Sequence, residues 1–147
     1  MQTYRDNFAS SCAVVAEGTS ANTFKTTQAT SYSINGFGYF KAATDNLTFS
    51  AGHTALAASQ RCAFFILLDA AGNVTTLQGD IVTPSPTGDQ RKAAEIPNPA
   101  DKAVIGALVV TTGAAGAFTP NTTDLSAAGV TFAAYNFVGD YGNTLPL

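Results

Sequence analysis

Charge is scarce in this sequence. Of its 147 residues only 12% are charged and 46% are hydrophobic, whereas an average soluble domain carries about 25% charge. The folded surface must therefore rely on uncharged polar groups or be covered by something else. Seven basic and ten acidic side chains leave a net charge of −3. That excludes the basic stripe that supplies most nucleic-acid affinity, so no nucleic-acid partner is expected. Histidine occurs once, cysteine twice and tryptophan not at all. The residue types of most catalytic centres are nearly missing.

Long apolar runs are missing too. The longest cover residues 62–68 and 103–110, far short of the roughly 20 residues that cross a bilayer as a helix. The opening Met1-Gln-Thr-Tyr-Arg-Asp6 has no basic segment leading into an apolar one, as a secretory signal would. A soluble chain made in the cytoplasm is expected, with no membrane partner. In that compartment Cys12 and Cys62 are not required to pair. Cys62 leads into Ala-Phe-Phe-Ile-Leu-Leu and reads as a small buried hydrophobe. Asn46, Asn73 and Asn121 each open an Asn-x-Thr triplet. Without a signal peptide these are products of an Asn- and Thr-rich composition.

What is present is β-like. Residues 1–28 show no clean period and read as an arm leading into the domain. From residue 29 alternation begins. Thr30-Ser-Tyr-Ser-Ile34 and Phe37-Gly-Tyr-Phe-Lys41 flank Asn35-Gly36, the strongest short hairpin signal, because a type I′ turn needs positive φ at both central residues. A bulge within one long strand is the other reading. Asp45-Asn46 reads as a further turn before a short strand over residues 47–49. Residues 61–68 fit a central strand buried on both faces, turned at Asp69-Ala-Ala-Gly-Asn73 into a partner strand over residues 74–78.

Residues 83–102 hold Pro84, Pro86, Pro97 and Pro99, which exclude a central strand. Asp89, Arg91, Lys92, Glu95, Asp101 and Lys102 make the region an exposed, Pro-rich charged loop, with one helical turn expected over residues 90–96. Residues 103–112 form a strong strand, with Gly106 where another backbone approaches closely. A helical turn is expected over residues 122–128, a final strand over 130–137 and a tail over 139–147. The expected fold is all-β, a β-sandwich or jelly roll of about seven or eight short antiparallel strands, with an extended N-terminal arm (1–28) and a β-domain (29–147).

Chemistry finds little support. His53 lies beside Gly52 and Thr54 in an expected exposed turn. Ser50, His53 and Asp45 have no spacing that supports a triad. Cys12, His53 and Cys62 do not form a zinc array. Asp69 and Asp80 flank the central hairpin, but Asp69 reads as a turn former, bonding the backbone two residues on. Phosphate-loop, dinucleotide and EF-hand patterns are absent, so no cofactor and no metal is expected, and no catalytic residue is assigned. Phe37, Tyr39 and Phe40 could form a stacking row. Among ten phenylalanines, most are expected in the core.

Four stretches carry a resemblance. They are residues 34–52 (INGFGYFKAATDNLTFSAG), 62–75 (CAFFILLDAAGNVT), 103–111 (AVIGALVVT) and 118–125 (FTPNTTDL). Together they resemble virion structural proteins of tailed bacteriophages of the capsid decoration, cement or head-fibre type, over roughly residues 32–138. The resemblance implies a non-enzymatic protein on the outer surface of the capsid, binding the major capsid protein and stabilising contacts between its subunits. It implies a homo-oligomer, with a trimer favoured by analogy and a dimer open. The alternative is a head- or tail-fibre adhesion module that binds a host surface glycan or protein. In this frame the arm, through Tyr4, Arg5, Phe8 and Phe24, is the expected capsid contact. The nearly uncharged C-terminal third, through Phe118, Phe132, Tyr135 and Phe137, is the expected self-association surface, since interface cores are depleted in charge.

Overall fold

The computed structural model describes residues 7–84, 93–139 and 144–147. Over them the chain is an all-β domain built from several short antiparallel sheets. The strands are β1 (Phe8–Ala9), β2 (Val15–Glu17), β3 (Phe24–Thr26), β4 (Thr30–Ile34), β5 (Phe37–Lys41) and β6 (Thr44–Leu47). They continue as β7 (Arg61–Asp69), β8 (Val74–Gln78), β9 (Ala93–Glu95), β10 (Lys102–Thr112), β11 (Val130–Asn136) and β12 (Thr144–Pro146). The sheet orders are β1-β4-β5, β2-β3-β6, β11-β10-β7-β8 and β12-β9.

The longest strands, β7 and β10, lie side by side in the middle of the four-stranded sheet and are buried on both faces. Along β7, Cys62, Phe64, Ile66 and Leu68 enter one cluster, and Ala63, Phe65 and Leu67 enter the other. This is why the sequence runs apolar without alternation there. The first cluster closes against the N-terminal strands through Ala9, Ala13, Val15, Phe24, Tyr32 and Ile34. The second closes against Ala94, Ile96, Phe137 and Leu145.

β10 keeps this two-faced pattern only because it carries a bulge. Val104 sits opposite Leu67 and Gly106 opposite Ile66, so Ile105 is an extra residue. The bulge resets the parity. Ala103 and Ile105 share a face with Leu108 and Val110, while Val104 joins Ala107 and Val109. Gly106 itself meets the close approach expected of it. A Cβ there would lie 2.7 Å from the Tyr135 carbonyl oxygen and 2.9 Å from Val15 Cγ2. Gly106→Ala is expected to push β11 or β2 off β10 and to cost about 1–3 kcal/mol. Urea unfolding of the variant beside the parent protein measures it.

The N-terminal arm is corrected from Asn7 onward. Residues 7–28 are built into the domain. β1 pairs with β4, β2 with β3, and β3 with β6. Ala9 O accepts the Gly139 N–H and Ala21 O accepts the Leu125 N–H. Strands of two or three residues are too short to display a period, so the sequence hid them. Residues 1–6 lie outside the described residues.

The Pro-rich region is corrected in part. Residues 85–92 lie outside the described residues. The expected helical turn gives way to strand β9 over residues 93–95, paired with β12. Ala94 and Ile96 are core, as is Leu145 in the stretch expected to be a tail. Asp45-Asn46, expected as a turn, lies inside β6. There β6 carries one residue more than β3 between the paired positions, and Asn46 takes φ 53°. Asparagine tolerates that conformation better than most residues. Residues 122–128 form successive tight turns, with Thr123 N–H on Thr119 O and Ala127 N–H on Asp124 O.

Candidate interaction surface

Asp69, Asp45, Cys62 and His53 are each held by a structural task. The Asp69 carboxylate accepts the N–H groups of Ala71 and Asn73 and the Asn73 side-chain amide, each at 2.9 Å. It forms the turn expected of it, and the Asn73 bonds hold its carboxyl below the usual range. Asp45 is taken by the Thr19 hydroxyl and the N–H groups of Thr19 and Asn46, and these lower it in the same way. Cys12 and Cys62 are free thiols. Burial pushes Cys62 up to about 11, which makes it the inert core residue expected from its neighbours.

His53 is not the exposed turn histidine expected. It is half-buried, its ring edge-on to Phe64 at 5.5 Å, with Nε2 2.7 Å from Thr76 Oγ1. Thr76 Oγ1 also accepts the Ser50 N–H at 2.8 Å, and Ser50 Oγ accepts the Thr76 N–H at 2.8 Å. Ser50 and His53 thus converge on Thr76 to seal the edge of β8, while Asp45 is engaged elsewhere. Among the described residues, no group of three or more His, Cys, Asp or Glu side chains could hold a metal.

Burial lowers the His53 pKa. Neutral imidazole is therefore favoured in the folded state more than in the unfolded one. The resulting stability is full above the ordinary value of about 6.5 and is lost as pH falls through the lowered value. Thermal melts from pH 8 to pH 5 are expected to show this decline, and His53→Asn is expected to flatten it. The lowered carboxylates Asp45 and Asp69 act in the same direction but at more acidic pH.

The two sets of interface residues expected from the sequence are redistributed. Of the arm set, Tyr4 and Arg5 lie outside the described residues and Phe8 is half-buried. Phe24 is fully buried, its ring 5.3 Å from Phe49. Of the self-association set, Phe118 is fully buried, Phe137 is buried, and Phe132 packs partly against the core. Only Tyr135, 37% exposed on edge strand β11, keeps an accessible ring. A bare count of aromatics cannot separate a core ring from an interface ring.

Among the described residues, the most exposed aromatic rings lie on the hairpin of β4 and β5. Asn35 and Gly36 take φ 52° and 82°, and Ile34 pairs with Phe37 across a two-residue loop. Phe37 and Phe40 are each 69% exposed, while most of the other phenylalanines are core, as expected. Tyr39 between them stacks on Tyr32 with centroids 5.6 Å apart. Tyr32 is anchored in turn by its hydroxyl on Asp69 O at 2.8 Å.

The register explains the exposure. Thr30, Tyr32 and Ile34 face the core, while Ser31 and Ser33 face outward. Phe40 lies opposite Ser31, on the outward face. Phe37 lies opposite Ile34 at the hairpin tip, beyond the reach of the core. The signal was in the sequence: Asn-Gly fixes the turn, and an aromatic residue beside a hairpin tip has few neighbours to cover it. No protein-family model, curated protein or solved structure matches the chain.

Proposed function

We propose that this chain is a non-enzymatic decoration (cement) protein of a tailed-bacteriophage head, which binds the outside of the capsid and stabilises contacts between major capsid protein subunits. In this reading the fold is a β-sandwich, with the sheet of β11, β10, β7 and β8 facing the N-terminal strands. The observation that carries the proposal is the pair of exposed rings, Phe37 and Phe40, on a domain whose candidate reactive groups are committed to turns and strand edges. An isolated protein gains nothing by keeping two such rings in water. Exposed rings on the two faces of an edge strand, unpaired on its outer side among the described residues, mark a place where another molecule docks.

Low charge supports the same conclusion, because it suits a surface that spends its working life covered. The resemblance of residues 34–52, 62–75, 103–111 and 118–125 to capsid decoration proteins supplies the partner. Many weak contacts on a repeating lattice hold durably where one alone would not. The adhesion alternative draws on the same hairpin, since exposed rings can stack on a sugar.

Co-sedimentation separates the two. Purified protein is mixed with bare capsids and, separately, with host cells. Saturable retention on capsids is expected. Binding to cells with none to capsids would favour the adhesion module and overturn the proposal.

A further inference from the structure

We infer that strand β5 is a docking edge for a second copy of this chain, pairing antiparallel about a two-fold axis centred on Tyr39. Among the described residues, no strand pairs with the outer edge of β5. The direction of its backbone groups follows from β4. Ser31 O accepts the Ser10 N–H at 2.7 Å, so the odd-numbered residues of β4 bond toward β1. The even-numbered residues Thr30, Tyr32 and Ile34 therefore bond toward β5, and their partners Lys41, Tyr39 and Phe37 bond back. Alternation leaves the N–H and C=O groups of Gly38 and Phe40 pointing away from the sheet. Such an edge is a template for another strand unless it is blocked.

The side chains select the occupant. In the register centred on Tyr39, the outward N–H and C=O groups of Gly38 meet those of the second copy's Phe40, and the reverse. No other two-fold register uses all of these groups on both strands without drawing on the turn or on Ala42. In this register Phe40 also lies beside the second copy's Gly38 on the outward face. A glycine without a side chain leaves room for the ring, and a cross-strand aromatic is the usual way such a glycine is covered.

On the other face Phe37 falls across from the second copy's Lys41. Directly cross-strand positions bring a cation and a ring within reach of each other, a favourable pairing. A partner of unrelated sequence would have to reproduce glycine, ring and cation in this order. The strand supplies them to itself.

Other edges are less suited. The edge of β8 is capped by Ser50, and by Thr54 N–H on Gln78 Oε1 with Gln78 Nε2 on Thr54 O. β6 is clamped by Thr19 and Ser20 on the side chains of Asp45 and Asn46. β11 carries a single large exposed side chain, Tyr135.

The contact is small. Four rings, each on a residue 69% exposed, remove roughly 500 Å² from water if fully covered, taking about 200 Å² per ring. Stable interfaces bury at least about 1,200 Å², so the free pair is weak. It gains durability where each copy is also held on a repeating surface. The pairing covers the same two rings that the capsid reading uses, so a paired copy would meet the capsid through its remaining surface; the test on free protein reads the pairing alone.

Sedimentation equilibrium of the full chain, from about 10 μM to 1 mM, reads it across the range of weak association. The average mass is expected to rise toward twice its value at infinite dilution. Phe40→Thr removes the ring from an exposed position. Gly38→Pro removes an outward N–H, and the added atoms start in open space, since a Cβ at Gly38 meets nothing within 4 Å. Both variants are expected to weaken association at least about tenfold, and Phe40→Tyr to retain it. Amide exchange at residues 38 and 40 is expected to slow as concentration rises. A mass independent of concentration, variants that associate like the parent, or amides protected equally at all concentrations would overturn the inference.

Discussion

Removing residues 1–28 is expected to abolish cooperative folding. The deletion takes away β1, β2 and β3, and with them the buried side chains of Ala9, Ala13, Val15 and Phe24. Those residues cover the face of the central sheet that carries Phe64, Ile66, Leu68, Ile105 and Leu108. An uncovered apolar face of that size favours aggregation over folding. Hydrogen bonds go as well: β4 loses its β1 partner, Asn136 Oδ1 loses the Val15 N–H, and the Leu125 N–H loses Ala21 O. A domain is stable by only about 5–15 kcal/mol in total, and burying one large side chain contributes about 1.5–3 kcal/mol. Circular dichroism and thermal unfolding of the truncated chain check this. A sharp melt at the parent temperature would show that the segment is an arm after all.

Phe64→Ala is expected to be the most damaging single truncation, at about 3–5 kcal/mol. Phe64 lies on β7 at the meeting point of the aromatic core. Its ring centroid is 5.2 Å from that of Phe49, 6.0 Å from Phe118 and 5.5 Å from His53, all edge-on. Phe49 is fixed by Asn121, whose side chain accepts the Phe49 N–H and donates to Phe49 O. Phe118 is fixed by reciprocal backbone bonds with Leu56. Neighbours held this firmly collapse poorly into a cavity, so the cost belongs at the upper end of the range. Denaturant unfolding should show a lower midpoint with an unchanged slope. Phe64→Leu, which keeps most of the volume, should cost less than half as much.

The parts of this fold that were legible in the sequence are those whose signal is local. Asn35-Gly36 dictates its own turn, and the strands beside it follow. Residues 61–68 and 103–112 announce strands by length and a continuous apolar run, and Asp69 and Gly72 mark the turn between β7 and β8. The illegible parts owe their structure to distant partners. β9 has three residues next to a Pro-rich, charged stretch, and it is a strand because β12, some fifty residues later, pairs with it. β2 and β3 are strands because β6 completes their sheet.

The interface residues follow the same division. Phe24 and Phe118 look like candidate contacts in a sequence with little charge, yet tertiary packing takes both into the core. Phe37 and Phe40, named from the sequence as part of a possible stacking row, are exposed because they sit on an edge strand at a hairpin. Exposure depends on which strand has a neighbour, and that is fixed by topology rather than by composition.

The most direct test of the proposed role is cryo-electron microscopy of the parent virus particle. The account predicts regular density for this chain on the outside of the head, seated over the junctions between major capsid protein subunits. Density for the chain on the tail, with none on the head, would contradict it.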